Sequence, residues 1–193
     1  MKYSNIYDDL IKKNLDNNPL ILNQLKEEYN IFKTSVNWVW FKAQMFTESS
    51  LIEKDGILYP DPKSKNEQTG ASGLFQIMPA NFEYCKITDP FDPEQNIRAG
   101  IFLDFKNYNV FKKELGIDRI RFMLGAYNAG IKWILQAQQK AIKEKLNSYR
   151  WDNIIKFLPE ITGKNNSKQT IDYVSHIEFL ANLFFHETWE KSL

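Results

Sequence analysis

A single cysteine, Cys85, leaves no partner for an internal disulfide, so the fold must be held by packing and hydrogen bonds alone. Its plain reading is a small, partly buried apolar side chain. No apolar run approaches the ~20 residues a bilayer-crossing helix requires, so no transmembrane segment is expected. The opening residues, MKYSNIYDDLIKKN, lack the basic start, apolar stretch and small-residue cleavage site of a secretory leader. Charge of one sign is missing too: 25 Lys and Arg against 24 Asp and Glu leave a formal +1. That balance argues against nucleic acid as a partner, because a phosphate backbone calls for a basic excess or patch. The short basic stretches, such as Lys140 to Lys145, alternate with Glu and apolar residues and read as solvated helix faces. Histidine is scarce. His176 and His186 stand on one expected helix without cysteines or carboxylates at ligand spacing, so neither a metal nor a cofactor is expected. Phosphate-binding glycine loops and calcium loops are absent as well.

What the chain does have is apolar material. Its 43% hydrophobic and 15% aromatic content, over 193 residues, suffices for one well-packed domain and excludes a disordered chain. Helical signals dominate. Residues 5–15 and 20–33 read as two short helices parted by Asn17-Asn18-Pro19, and together residues 1–35 form an extension expected to pack on the domain proper, 36–193. Residues 36–48 are apolar on most of their circumference, as a central helix should be. Residues 53–73 then break the pattern with Gly56, Pro60, Pro62, Gly70 and Gly73, predicting a long irregular excursion or a small β-hairpin lobe. A loop of that length in a compact domain is more often functional than idle. Pro79 opens a short helix to about residue 85, and Asp92-Pro93-Glu94 opens another with Ile97, Ile101, Phe105 and Tyr108 on one stripe. Asp118 is read as the N-cap of 119–128, which ends at Gly130. Ile131, Ile134, Leu135, Gln138, Ile142 and Leu146 suggest a further helix, and Tyr173, Ile177, Leu180 and Phe184 mark a long last one over 168–190. The expected class is mainly α with one irregular lobe, a layout that suits a cleft enzyme.

Glu48 is the residue with the sharpest chemical reading. On a helix over 36–48, Trp38, Phe41 and Met45 share its face. A carboxyl group placed there loses hydration, its charged form is disfavoured, and its pKa should rise. A proton kept near neutral pH is what a general acid needs.

Three segments gain meaning together: Glu48-Ser49-Ser50, Gly70 to Pro79 (GASGLFQIMP), and Gly125 to Gly130 (GAYNAG). Each alone has a bland reading, as a helix end, a tight turn or a close helix approach. In this order they resemble the soluble lytic transglycosylases of peptidoglycan, glycoside hydrolase family 23. That family's pattern has a catalytic Glu followed by Ser, matched by Glu48 and Ser49, then GAxGLxQxMP, matched by Gly70 to Pro79. A segment opening DPxxNIxAG and closing on Tyr-Leu is matched by Asp92 to Leu103, with Phe in place of Tyr. The AYNAG block is matched in full. A terminal ETxxYV element is similar to Gln169 to Val174, with Gln in place of Glu. The resemblance covers about residues 36–180.

The resemblance implies a lysozyme-like helical domain that cleaves the β-1,4 bond between N-acetylmuramic acid and N-acetylglucosamine without adding water. The muramoyl C6 hydroxyl attacks C1 and leaves a 1,6-anhydro ring. Glu48 would act first as general acid and then as base, with the substrate's own N-acetyl carbonyl supporting the charge at C1. By matching position, Ser49 would support the Glu48 carboxyl or its loop, and Gln76 and Met78 would line the cleft. Tyr127 and Asn128 would face the glycan, and Tyr173 would help fix the acid's rotamer. Gly70, Gly73 and Gly130 read as backbone requirements, and Asn96 as a buried structural amide.

The pattern departs at the excursion. The family carries a Ser three residues before the GAxG glycine, where this chain has Glu67, and the loop here is several residues longer. Goose-type lysozymes place an Asp near this point, so Glu67, or Glu53, Asp55 or Asp61, offers a second carboxylate for inverting hydrolysis across ~6.5–9.5 Å. The readings are thus a peptidoglycan lyase, a goose-type hydrolase using Glu67, and a wall-binding protein without turnover. Peptidoglycan glycan strands are the expected partner, a monomer the expected state, and the periplasm or cell wall the expected place of action. With no leader in view, the route there is phage encoding, delivery by a secretion system with its own partner protein, or a signal trimmed away.

Overall fold

The computed structural model describes residues 2–17 and 37–190, with side chains as far as His186. It divides into two compact units: among the described residues the first holds 2–17, 37–102 and 177–190, and the second holds 103–176. The fold is mainly α with one small sheet, as expected. The helix expected over 20–33 lies outside the described residues. No helix among the described residues is long and apolar enough to cross a membrane.

The first unit is organised on one helix. After α1 (Asp8–Asp16), α2 (Trp38–Glu48) starts where Asn37, in extended backbone, accepts the Val39 N–H at 2.9 Å. Val39, Phe41, Ala43, Met45 and Phe46 are all buried, so the central position expected of this helix is the one observed. Burial also catches a charge. Lys42 is 2% exposed, and its ammonium donates to Asn5 Oδ1 at 2.7 Å and pairs with Asp8 of α1 at 2.9 Å. It also lies over the Phe184 ring, 5.0 Å from the centroid. Tyr3, Phe46 and Phe184 pack ring against ring beside it.

The excursion contains a hairpin that begins two residues earlier than the sequence suggested. Strands β2 (Leu51–Lys54) and β3 (Ile57–Pro60) are antiparallel, joined by Asp55 and Gly56, both at positive φ. A two-residue Asp-Gly connection with left-handed backbone is the turn whose twist suits a hairpin. β1 (Lys2–Tyr3) adds a parallel strand on the far side of β3, pairing Lys2 with Ile57 and Tyr3 with Leu58. The N-terminal segment therefore contributes a strand and an ion-pair partner to the first unit. After a short 3₁₀ turn (Pro79–Asn81) and α3 (Phe82–Cys85), α4 (Pro93–Val110) begins where Asp92 Oδ1 accepts the Gln95 N–H at 2.8 Å.

The second unit takes the end of α4, then α5 (Ile117–Ala129), α6 (Ile131–Lys143), α7 (Trp151–Ile154), α8 (Leu158–Thr162) and the first part of α9 (Lys164–Glu190). Two expectations are corrected here. Asp118 is not the N-cap: α5 starts after Gly116, and the buried Asp118 carboxylate accepts the Trp151 N–H at 2.9 Å and pairs with Arg150 at 3.3 Å. An acidic residue near a helix start serves equally well as acceptor for a distant amide. On α6 the expected stripe is only partly buried. Ile134, Ala137 and Ala141 point inward, whereas Ile142 is 61% exposed. Small residues mark the inner face because neighbouring elements approach closely there. Gly125 makes the same allowance, since a Cβ on it would meet the Trp151 ring at 2.4 Å. Arg119 is buried flat on Tyr108, 3.8 Å from the ring centroid, and donates twice to the Tyr108 carbonyl. The stripe of Tyr173, Ile177, Leu180 and Phe184 on α9 is buried throughout.

Two outcomes follow from the first unit. Asp8→Ala takes the carboxylate from the buried Lys42 ammonium and is expected to lower the unfolding free energy by ~3 kcal/mol in urea titrations, with Asp8→Leu/Lys42→Met less damaging. Tyr7, partly buried and facing the Asp61 carboxylate, titrates above the usual 10.0, burial being the larger cause. Its neutral form is favoured in the folded state, so the stability it contributes is full below pH 10.0 and lost as pH rises through the higher native value. Tyr7→Phe is expected to flatten the alkaline loss of stability measured by denaturation between neutral and strongly basic pH.

Candidate active site

Glu48 is the last residue of α2 and is half-buried. The helix stops there because Ser49 turns to extended backbone, at φ −84° and ψ 153°. Both its N–H and its hydroxyl donate to the Met45 carbonyl, at 3.1 and 2.9 Å. Ser49 thus closes the helix end that carries Glu48, and its hydroxyl is engaged with the main chain.

The next residue ties this end to the loop. The Ser50 N–H donates to Ser64 Oγ at 2.9 Å, and Ser64 Oγ donates to Ser50 Oγ at 3.2 Å. The Ser64 carbonyl accepts the Gly73 N–H at 2.7 Å and Gln76 Nε2 at 3.1 Å, and the same nitrogen reaches the Gly73 carbonyl at 2.9 Å. The Gln76 amide nitrogen therefore faces the loop from a residue in left-handed backbone. Met78 is exposed. Residues 66–70 close on themselves, with Asn66 Oδ1 accepting from Gln68 and Thr69 and its carbonyl from Gly70, so the long excursion still brings Ser64 against Gly73.

Beneath the glycine turn lies Asn96, fully buried as its reading as a structural amide required. Its Oδ1 accepts the Phe75 N–H at 2.8 Å, and its Nδ2 donates to the Ser72 and Pro90 carbonyls at 2.9 and 2.8 Å. Only glycine fits over it: a Cβ on Gly73 would lie 2.2 Å from Asn96 Nδ2. Gly100, one turn along α4, leaves room for the Phe75 ring in the same way.

Glu67 lies on the exposed outer turn, its side chain 80% accessible and paired with Lys65 at 3.0 Å. In the second unit, Tyr127 and Asn128 are half-buried at the C-terminal end of α5. Asn128 Oδ1 accepts the Thr170 hydroxyl at 2.9 Å beside a recess of about 160 Å³ that Trp133, Asn166 and Gln169 also line. Tyr173 is buried on α9. The first unit thus carries Glu48, Ser49, Gln76, Met78 and Glu67, and the second carries Tyr127, Asn128 and Tyr173.

A sequence model described as "Transglycosylase SLT domain" matches residues 33–149, more than half of the chain. The chain belongs to that family. Among curated relatives, it is 30% identical over 122 residues to a membrane-bound lytic murein transglycosylase F of Pseudomonas putida, covering 61% of this chain and 24% of the relative. A protein of the same name from Desulfosudis oleivorans is 31% identical over 129 residues, covering 66% and 26%. The chain spans about a quarter of the length of these relatives. Among solved structures, the 70 kDa soluble lytic transglycosylase Slt70 of Escherichia coli aligns with a TM-score of 0.55 at 20% identity, over 90% of this chain and 24% of that one. That likeness supports the lysozyme-like fold class.

Ser64 is the residue of this SLT domain that the sequence reading missed. Glu67 occupies the position three residues before Gly70, while the serine that joins the two motif segments stands three residues further back. The signal was the loop's extra length.

Asn96→Ala takes the acceptor from the Phe75 N–H and the donor from the Pro90 carbonyl, whereas the Ser72 carbonyl keeps the Ile77 N–H, and each buried group that loses its partner costs ~1–3 kcal/mol. A loss of about 2 kcal/mol or more by chemical denaturation is expected, with faster proteolysis within 61–79 than elsewhere.

Proposed function

We propose that this SLT domain cleaves the β-1,4 bond between N-acetylmuramic acid and N-acetylglucosamine in peptidoglycan, leaving a 1,6-anhydromuramoyl end, with Glu48 as the acid and then the base. The observation that carries the reading is the position of Glu48. It ends a helix buried on nearly all sides, stays half-exposed itself, and falls within the family-matched span. It stands at the C-terminal end of α2, where the helix carbonyls place partial negative charge that disfavours a second negative charge. As general acid it would hand its proton to the glycosidic oxygen.

In this reading the C1–O bond breaks as Glu48 gives up its proton to the departing oxygen. The acetamido oxygen of the same sugar bonds to C1 and carries the charge that develops. The C6 hydroxyl then displaces it, and the Glu48 carboxylate recovers a proton from that hydroxyl. Ser49 serves by ending the helix, and Gln76 by bracing the loop through Ser64 and Gly73. Met78, Tyr127, Asn128 and Tyr173 take substrate-facing roles on the strength of the motif match alone. Hydrolysis ranks second, because it requires a carboxylate set against the sugar. Glu67 is instead a solvated partner of Lys65, an arrangement typical of a surface ion pair. The site of action is the cell wall or periplasm, where the glycan lies.

Mass spectrometry of products from purified sacculi tests both parts. Anhydromuramoyl ends are expected from the native protein, and Glu48→Gln is expected to lower release at least ~100-fold. Glu67→Gln should leave the rate unchanged. Reducing ends alone would sink the lyase reading, and full activity in Glu48→Gln would sink both catalytic ones.

A further inference from the structure

Away from the residues given a part in cleavage, the first unit has a recess of about 310 Å³ formed where α3 meets α4, beside Asn14 of α1. Cys85 and Ile101, both nearly inaccessible, make an apolar floor. Tyr84 and Phe102 stand at its edge, 53% and 42% exposed, with ring centroids 5.4 Å apart and planes tilted by 49°. Lys86, Arg98 and Asn14 complete the lining. Arg98 Nη2 is fixed by the carbonyls of Cys85 and Lys86 at 3.4 and 3.0 Å, so the guanidinium caps the end of α3 and holds one orientation. Neither cation has a carboxylate partner among the described residues. The nearest acid on the same helix face, Glu94, is bonded to Lys13.

We propose that this recess binds a linear acidic peptide segment of a partner protein, in which an apolar side chain is flanked by carboxylates. The volume accepts one large side chain, not a folded surface. Exposed Tyr, Phe and Arg in one concave patch is the composition in which binding energy concentrates. Two unpaired cations beside an apolar floor are complementary to carboxylates next to an apolar group. The tilt between the rings makes a cleft and not the flat face on which a sugar stacks, so a glycan is the weaker fit. The inference is independent of the catalytic reading, because none of its residues has been given a role in cleavage.

The probe is a blocked pentapeptide, Glu-Glu-Phe-Glu-Glu, titrated into the ¹⁵N-labelled full chain and followed by amide chemical shifts. Saturable binding is expected, with shifts centred on residues 84–86 and 98–102. Lys86→Gln and Phe102→Ala, both at exposed positions, should each weaken it about tenfold while leaving sacculus digestion at the native rate. The peptide Gln-Gln-Phe-Gln-Gln should bind more weakly, and the gap should close in high salt. Absence of saturation, equal binding by the uncharged peptide, or shifts outside the recess would overturn the proposal. So would chitotetraose occupying the recess in place of the peptide.

Discussion

The side-chain amide of Asn96 is the contact on which the geometry of the glycine-turn segment of this SLT domain rests. One group, wholly out of water, satisfies a main-chain donor at Phe75 and main-chain acceptors at Ser72 and Pro90. A glycine turn has no side-chain packing of its own to fix it, and buried backbone groups must be paired. The amide answers both needs. Ser64 continues the chain of contacts from Gly73 to Ser50, two residues beyond Glu48. Ser50, the glycine turn at 70–76 and Asn96 of α4 are thereby one hydrogen-bonded assembly in the first unit.

Helix α2 shows how the same apolar surroundings treat two charges differently. Lys42, near the middle, is fully enclosed and survives because α1 and the N-terminal segment bring Asp8 and Asn5 to it. Glu48, at the end, keeps part of its surface open. An enclosed charge must be matched by protein partners, and the match then serves structure. A half-open carboxyl at a helix terminus has room for a ligand. The difference lies in position along one helix: the enclosed charge is matched by protein partners, and the half-open one is the acid of the proposed reading.

The second unit uses similar devices for another end. Asp118 and Gly125 both answer to Trp151, one by accepting its N–H and the other by leaving space for its ring. The AYNAG block thus sits on a helix whose packing is set by a residue far along the chain. Its Asn128 is held in turn by Thr170, from the segment that resembles the family's terminal element.

Much of this was legible in the residues themselves. Stripes such as Tyr173, Ile177, Leu180 and Phe184 locate helices because burial repeats with the helical period. The central place of α2 and the structural use of Asn96 could be read in the same way. The excursion expected over 53–73 does hold a hairpin, turning at Asp55-Gly56, yet its first strand begins two residues before that range, since alternating and irregular stretches look alike over so few positions. Tertiary structure alone decided the rest. Whether Asp118 caps its own helix or receives Trp151, whether Ile142 or Ala141 faces inward, and which way the Gln76 amide turns each depend on what stands opposite. Local sequence supplies a group's chemistry and its period, but the partner that satisfies it comes from distant residues, and only the folded chain brings them within reach.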